Sequence, residues 1–168
     1  QSHLKKQGLD FLILKDPANI FYLSNFYGAL TGAVAYLILP VKGKPVLLTD
    51  FRYIEEAEKD CDATVRISKI RGKVFLEVRD IISSFGAGTS VASGLSGSSV
   101  KNRPLGVGFE GTKVTWTEAK RLRLAVKGAK LRAKFVDISG AIEKLRAVKD
   151  PGELHLITEG QKLADKAL

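Results

Sequence analysis

The sequence predicts an α/β domain with a mixed β-sheet flanked by helices. Compact apolar runs of strand length alternate with amphipathic helical stretches, and one pair of neighbouring strands is joined by a tight turn instead of a helix. A chain of 168 residues, 45% apolar and 27% charged, has the composition of an ordinary globule and is long enough to bury a core without staples.

The elements follow in order. A polar helix end with Lys5 and Lys6 leads to Gly8, which suits a left-handed helix cap before a buried strand over residues 9–14. Asp16 and Pro17 read as the N-cap and first helical position of a short helix reaching residue 23. Residues 33–39 form a second buried strand, and Lys42-Gly43-Lys44, with Pro40 and Pro45 nearby, makes the hairpin turn into its partner over 46–49. Asp50 caps the next helix, which turns Tyr53, Ile54 and Ala57 inward and carries Glu55, Glu56 and Glu58 in its early turns. Alternation over 63–67 predicts a half-exposed strand. Residues 73–85 predict an amphipathic helix with Val74, Leu76, Val78, Ile81, Ile82 and Phe85 on its buried face.

Residues 86–99 are rich in Gly, Ser, Ala and Thr. Their glycines lack the spacing of a dinucleotide fingerprint and no strand leads into them, so they read as a surface connection, with an anion nest as the sharper alternative. A strand over 105–109, a helix over 115–126 stopped by Gly128, a strand over 131–136 with Lys and Arg outward, and a helix over 141–148 complete the pattern. Asp150-Pro151-Gly152-Glu153 then restarts a helix running to the last residue. Leu154, Ile157, Leu163 and Ala167 share one face of it, with Leu156 and Ala164 near. Either that face packs back on the domain or it belongs to a longer protein, and the break before it reads as a boundary: residues 1–149 one domain, 150–168 a linker and first helix of another.

Composition excludes several classes. One cysteine, Cys61, rules out a disulfide framework and a cysteine-built metal site, and the two histidines, His3 and His155, lie at opposite ends of the chain. No apolar run approaches a membrane span and no basic-then-apolar leader opens the chain, so a soluble, cytoplasmic protein is expected. The net charge of +9 permits acidic partners. Its excess falls between Lys113 and Lys134, on Lys120, Arg121, Arg123, Lys127, Lys130, Arg132 and Lys134. No aromatic stacking platforms interleave these cations, so they read as a solvated face and argue against nucleic acid. No serine sits in a nucleophile elbow, and Cys61 lies between Asp60 and Asp62, which raise its pKa. His155 with Glu159 four residues on reads as a surface pair. No catalytic residue and no metal ligand is expected in this chain.

Asn19-Ile20-Phe21-Tyr22-Leu23-Ser24-Asn25-Phe26 closely resembles the Asn-Ile-x-Tyr-Leu-(Thr/Ser)-(Gly/Asn)-Phe segment near the start of prolidases, aminopeptidase P and creatinase. Thr49-Asp50-Phe51-Arg52-Tyr53 is similar to their Asp-x-Arg-Tyr, and Val107-Gly108-Phe109-Glu110-Gly111 to their Val-Gly-(Phe/Ile)-Glu strand end. The segment from Leu145 to Leu154 resembles their Arg-x-(Val/Ile)-Lys-(Asp/Ser)-x-x-Glu-(Leu/Ile) junction into a catalytic domain. The motifs stand in the family's order along essentially the whole chain.

This resemblance implies a ribonuclease-H-like, non-catalytic N-terminal domain of a proline-specific metallopeptidase, either an Xaa-Pro aminopeptidase or an Xaa-Pro dipeptidase. It implies no cofactor in these residues. Two divalent metal ions (Mn, Co or Zn) would sit in a following pita-bread domain, on Asp, Asp, His, Glu and Glu beyond Leu168. The implied partners are that catalytic domain, a second subunit in a homodimer, and a proline-containing peptide, with no membrane. Phe26, Tyr27, Leu30 and Thr31, in the loop over 26–32, would line the substrate entrance of the other subunit; the alternative is an ordinary strand-entry loop. That loop lacks the Arg that creatinase-like members direct at a substrate carboxylate, which counts against creatine chemistry. Among the structural or interdomain residues, Asn19 and Asp50 are expected to satisfy local backbone groups and Arg52 and Tyr53 to lock a helix against the sheet. Asp50 and Arg52 could alternatively reach a partner chain. Glu110 is expected to be a buried polar anchor or an interdomain salt bridge. The competing expectation is an inactive family member serving as a protein- or nucleic-acid-binding module.

Overall fold

The computed structural model describes residues 7–88 and 103–167. Strands β1 (Phe11–Leu14), β2 (Ala35–Pro40), β3 (Val46–Thr49), β4 (Arg66–Lys69), β5 (Leu105–Phe109) and β6 (Ala133–Asp137) form one six-stranded sheet in the order β4-β3-β2-β1-β5-β6. β2 runs antiparallel to both β1 and β3, while β3–β4, β1–β5 and β5–β6 are parallel, so β2 alone opposes the rest. The helices are α1 (Pro17–Ser24), α2 (Gly28–Thr31), α3 (Ile54–Asp60), α4 (Val74–Gly88), α5 (Trp116–Gly128), α6 (Ala141–Ala147) and α7 (Pro151–Ala167).

The inner strands are apolar on consecutive residues because both faces of the sheet are covered. Phe11 and Ile13 of β1, Tyr36 and Ile38 of β2, and Val46 and Leu48 of β3 pack with Val78, Ile81 and Ile82 of α4 and Leu122 and Val126 of α5. The alternate residues Leu12, Leu14, Leu37 and Leu47 pack on the other face with Ile20 of α1, Phe26, Ala57 of α3 and Ile142 of α6. Each such side chain, fully buried, contributes roughly 1.5–3 kcal/mol.

Local chemistry sets several boundaries as expected. Gly8 adopts φ +68°, and Asp16 caps α1 through the N–H groups of Ala18 and Asn19 with Pro17 in the first turn. Other boundaries differ. β4 begins at Arg66 instead of residue 63 because Asp62 holds the preceding turn, accepting from the N–H of Thr64 at 2.7 Å. Asp50 caps a single 3₁₀ turn, Phe51–Tyr53, before α3 begins. On α4, Leu76 lies opposite the buried stripe and is 39% exposed, whereas Phe75 packs against the Tyr36 ring with centroids 6.1 Å apart. α4 extends through Gly88, and the remainder of the 86–99 stretch lies outside the described residues, as does the helix end at Lys5 and Lys6.

Gly128 does not stop α5: the helix includes it, and Lys130 takes the left-handed φ of +57°. A Cβ at Gly128 would meet nothing within 4 Å. Gly128→Ala is therefore expected to raise stability by about 0.5–1 kcal/mol, read as a higher denaturant midpoint at unchanged slope. A lower midpoint would show that the last turn of α5 needs the glycine.

α7 begins with a reciprocal cap, Asp150 accepting from Glu153 N–H and Glu153 from Asp150 N–H, both at 2.9 Å. None of its residues is buried, and Leu154, Leu156, Ile157 and Leu163 all face outward. The helix does not pack back on the domain.

Candidate functional site at the carboxyl ends of the strands

Because β2 alone is reversed, the carboxyl ends of β1, β3, β4, β5 and β6 emerge on one rim of the sheet, the rim where open α/β sheets receive ligands. Just beyond or at those ends stand Asp16, Asp50, Glu110 and Asp137.

Glu110 is 2% exposed and bonded on both oxygens. Its Oε2 accepts from the backbone N–H of Lys15 and of Asp16, each at 2.7 Å, and its Oε1 from Asn19 Nδ2 at 2.6 Å. Asn19, fully buried, also donates to Glu143 Oε1 and accepts from Arg146 Nη1, both at 3.0 Å. One network thus joins the end of β5, the start of α1 and the length of α6. Asn19 does not satisfy local backbone groups. Asp16 already caps that turn, leaving the Asn19 side chain free to cross to Glu110 and Arg146.

Asp16 also pairs with Lys113 Nζ at 2.8 Å. Burial pushes its carboxyl up, but the Lys113 ammonium and the N–H groups of Asn19 and Ala18 outweigh burial and hold it below the usual range. Beside it, Lys15 Nζ donates to both oxygens of Glu118 at 2.8 Å, and Glu118 closes a capping box with Thr115. Burial, reinforced by the Glu118 charge, pushes the Tyr36 hydroxyl well above its ordinary value; that hydroxyl donates to Glu118 at 3.2 Å. Glu118 itself is pushed up by burial and pulled lower by Lys15 and Thr115, with a net shift downward.

At the end of β3, Asp50 accepts from Arg52 N–H at 3.1 Å, Arg52 Nε at 2.8 Å and Val34 N–H at 3.2 Å, and the Arg52 guanidinium holds its carboxyl below the usual range. Arg52 is exposed and folds back on its own cap, with its guanidinium 5.4 Å from the Tyr53 ring centre. It does not lock the helix to the sheet; of the pair, only Tyr53 reaches the core, edge-on to Phe26 at 6.4 Å. Asp137 accepts from Gly111 N–H and from both the N–H and hydroxyl of Ser139, which together lower its pKa.

The 26–32 segment is not an open loop, since α2 occupies its middle. Phe26 is fully buried and cannot touch a ligand from the surface. A Cβ on Gly28 would come within 2.5 Å of the Phe26 ring, so glycine is what lets α2 close over it. Tyr27 and Leu30 stand 54% and 46% exposed, and exposed Thr31 donates its hydroxyl to Gly28 O at 3.2 Å.

Chemically the rim is a set of engaged caps and ion pairs, with no carboxylate poised against a reacting group. Among the described residues no group of three or more His, Cys, Asp or Glu is arranged to hold a metal ion. Burial, then the Asp60 charge, pushes the Cys61 thiol up to about 11, away from nucleophilic use. No helix among the described residues is long and apolar enough to cross a membrane. Sequence reasoning did not connect Glu143, Arg146 and Lys113 to this rim, although Arg146 lies inside a motif that signals the family.

A family model described as the creatinase/prolidase N-terminal domain matches residues 1–148. An uncharacterized peptidase, YqhT, from Bacillus subtilis (strain 168) is 26% identical over 161 residues, covering 95% of this chain and 38% of the relative. An Xaa-Pro dipeptidase from Bacillus anthracis superposes with a TM-score of 0.75 at 25% identity, over 99% of this chain and 39% of that one. The N-terminal domain of the cytoplasmic peptidase PepQ from Mycobacterium tuberculosis H37Rv superposes with a TM-score of 0.65 at 24% identity, over 86% of this chain and 92% of that one. This chain therefore spans under half the length of the first two relatives and nearly all of an isolated N-terminal domain. With a six-stranded mixed sheet and a family match over residues 1–148, the chain belongs to the creatinase/prolidase N-terminal domain family.

Proposed function

We propose that this chain is the non-catalytic N-terminal domain of a metal-dependent, proline-specific peptidase of the Xaa-Pro aminopeptidase or dipeptidase type, acting in the cytoplasm. The observation that carries the reading is the pairing of the family match over residues 1–148 with α7, a helix beyond it whose apolar face is bare. A helix of that kind is stable only against a partner. The partner is the catalytic half of the same protein, which would supply the metal ligands. The domain then has two duties. It contributes to a homodimer, and it shapes the substrate entrance with Tyr27, Leu30 and Thr31, which α2 holds outward while Phe26 fixes α2 from beneath.

The test is an assay of the whole protein, with added Mn, Co or Zn, on an Xaa-Pro dipeptide and on a longer peptide with proline second. Hydrolysis by the whole protein and none by residues 1–168 is expected. Tyr27→Ala with Leu30→Ala should raise KM severalfold at little changed kcat, because the contacts bind substrate without joining the reacting atoms. Metal-dependent hydrolysis by residues 1–168 would overturn the reading. So would a whole protein that turns nothing over yet binds DNA or histones in a salt-sensitive way, the behaviour of an inactive binding module.

A further inference from the structure

Away from the rim, β6 forms one end of the sheet. Leu105 N–H donates to Arg132 O and Ile138 N–H to Phe109 O, so the even-numbered residues of this stretch direct their backbone groups at β5. Strand alternation turns the N–H and C=O of Ala133, Phe135 and Asp137 the other way, where no further strand lies among the described residues. Beside that edge, α5 and β6 enclose a groove of about 550 Å³. Its lining combines the apolar Val126, Leu131 and Phe135 with the cationic Arg123, Lys127 and Arg132. The Arg123 guanidinium lies 5.6 Å from the Phe135 ring centre. None of the cations from Lys120 to Lys134 forms an ion pair with a carboxylate among the described residues, whereas Lys15, Arg103 and Lys113 all do. The acidic groups that flank this stretch, Glu118 and Asp137, are engaged elsewhere, Glu118 by Lys15 and Asp137 by Ser139.

We propose that this edge is a docking site for an extended acidic peptide segment bearing a large apolar side chain. The open edge of β6 pairs with the segment's backbone, the groove takes the apolar side chain, and Arg123, Lys127 and Arg132 meet the flanking carboxylates. Charge complementarity selects an acidic occupant, since an unneutralised cationic wall attracts carboxylates and repels a basic segment. Backbone pairing selects a peptide over a nucleic acid, which has no strand to add to the β6 edge. The proposal is independent of the peptidase reading.

Fluorescence anisotropy on the full 168-residue chain tests it. The probe is a labelled peptide alternating glutamate with valine around a central phenylalanine. Saturable binding is expected, weakened about tenfold or more by the double charge reversal Lys127→Glu with Arg132→Glu. The same peptide N-methylated at alternate amides, which cannot pair with a strand, should also bind about tenfold more weakly to the unaltered chain. That second measurement needs no variant to fold, and the thermal transition of the double variant reports whether it does. The proposal is overturned by absence of binding, by binding indifferent to N-methylation, by a folded double variant that binds as before, or by a single-stranded oligonucleotide of equal charge binding more tightly than the peptide.

Discussion

Glu110→Ala is expected to cost about 3 kcal/mol or more of folding stability, because it strands three donors together: Lys15 N–H, Asp16 N–H and the Asn19 amide. All three lie at a carboxylate only 2% exposed, where water cannot readily replace it. The loss should appear as a melting temperature lower by roughly 10 °C and a denaturant midpoint shifted at unchanged slope. Glu110→Gln separates shape from chemistry. Its one carbonyl oxygen can still accept from the two backbone groups, but its amide then faces the Asn19 amide, donor against donor. An intermediate loss is therefore expected. Should Glu110→Ala melt within a degree or two of the parent, the hub reading of this residue fails. Arg146→Ala offers a milder companion, since it removes one bond to Asn19 Oδ1 at 3.0 Å on the partly exposed side of the network.

Phe26→Ala should be comparably severe, about 3–5 kcal/mol, since it empties a fully buried aromatic site. The ring is held by Tyr53 edge-on at 6.4 Å and by the close approach of Gly28, so neither side can collapse into the void without moving α2. Two measurements distinguish this core role from substrate lining. A core residue lowers the denaturant midpoint of the isolated chain, and its replacement by Leu recovers much of the loss. A lining residue would leave the midpoint alone and move only KM in the whole protein. An unchanged midpoint for Phe26→Ala would return Phe26 to the entrance and contradict the packing described above.

Much of the fold was legible residue by residue. The consecutive apolar positions of β1, β2 and β3 announced strands covered on both faces, and the Asp16–Pro17 and Asp50 caps marked their helical starts. These are short-range effects: a cap, a turn or a run of apolar residues acts within a few positions, so its signature is contiguous in the chain. Where a local rule had a local rival, the reading slipped. Asp62 drew β4 three residues onward by forming its own turn, and Gly128 stayed helical because nothing in its surroundings required it to stop.

The site was less legible for a different reason. Asn19 meets Glu110 across a sequence separation of 91 and Arg146 across 127, and no local pattern states that those segments will be neighbours. That depends on the strand order, which sets β5 beside β1, and on the packing of α6 against α1. Phe26 and Tyr27 are adjacent aromatics of similar propensity, yet one is fully buried and the other more than half exposed, because the turn into α2 points successive side chains in opposite directions. By itself, then, the sequence determined the elements, their caps and the family they belong to. Only the tertiary structure decided which polar groups hydrogen-bond to one another and which aromatic faces the core. Those choices arise when distant segments exclude water from one another, an event no single stretch of chain encodes.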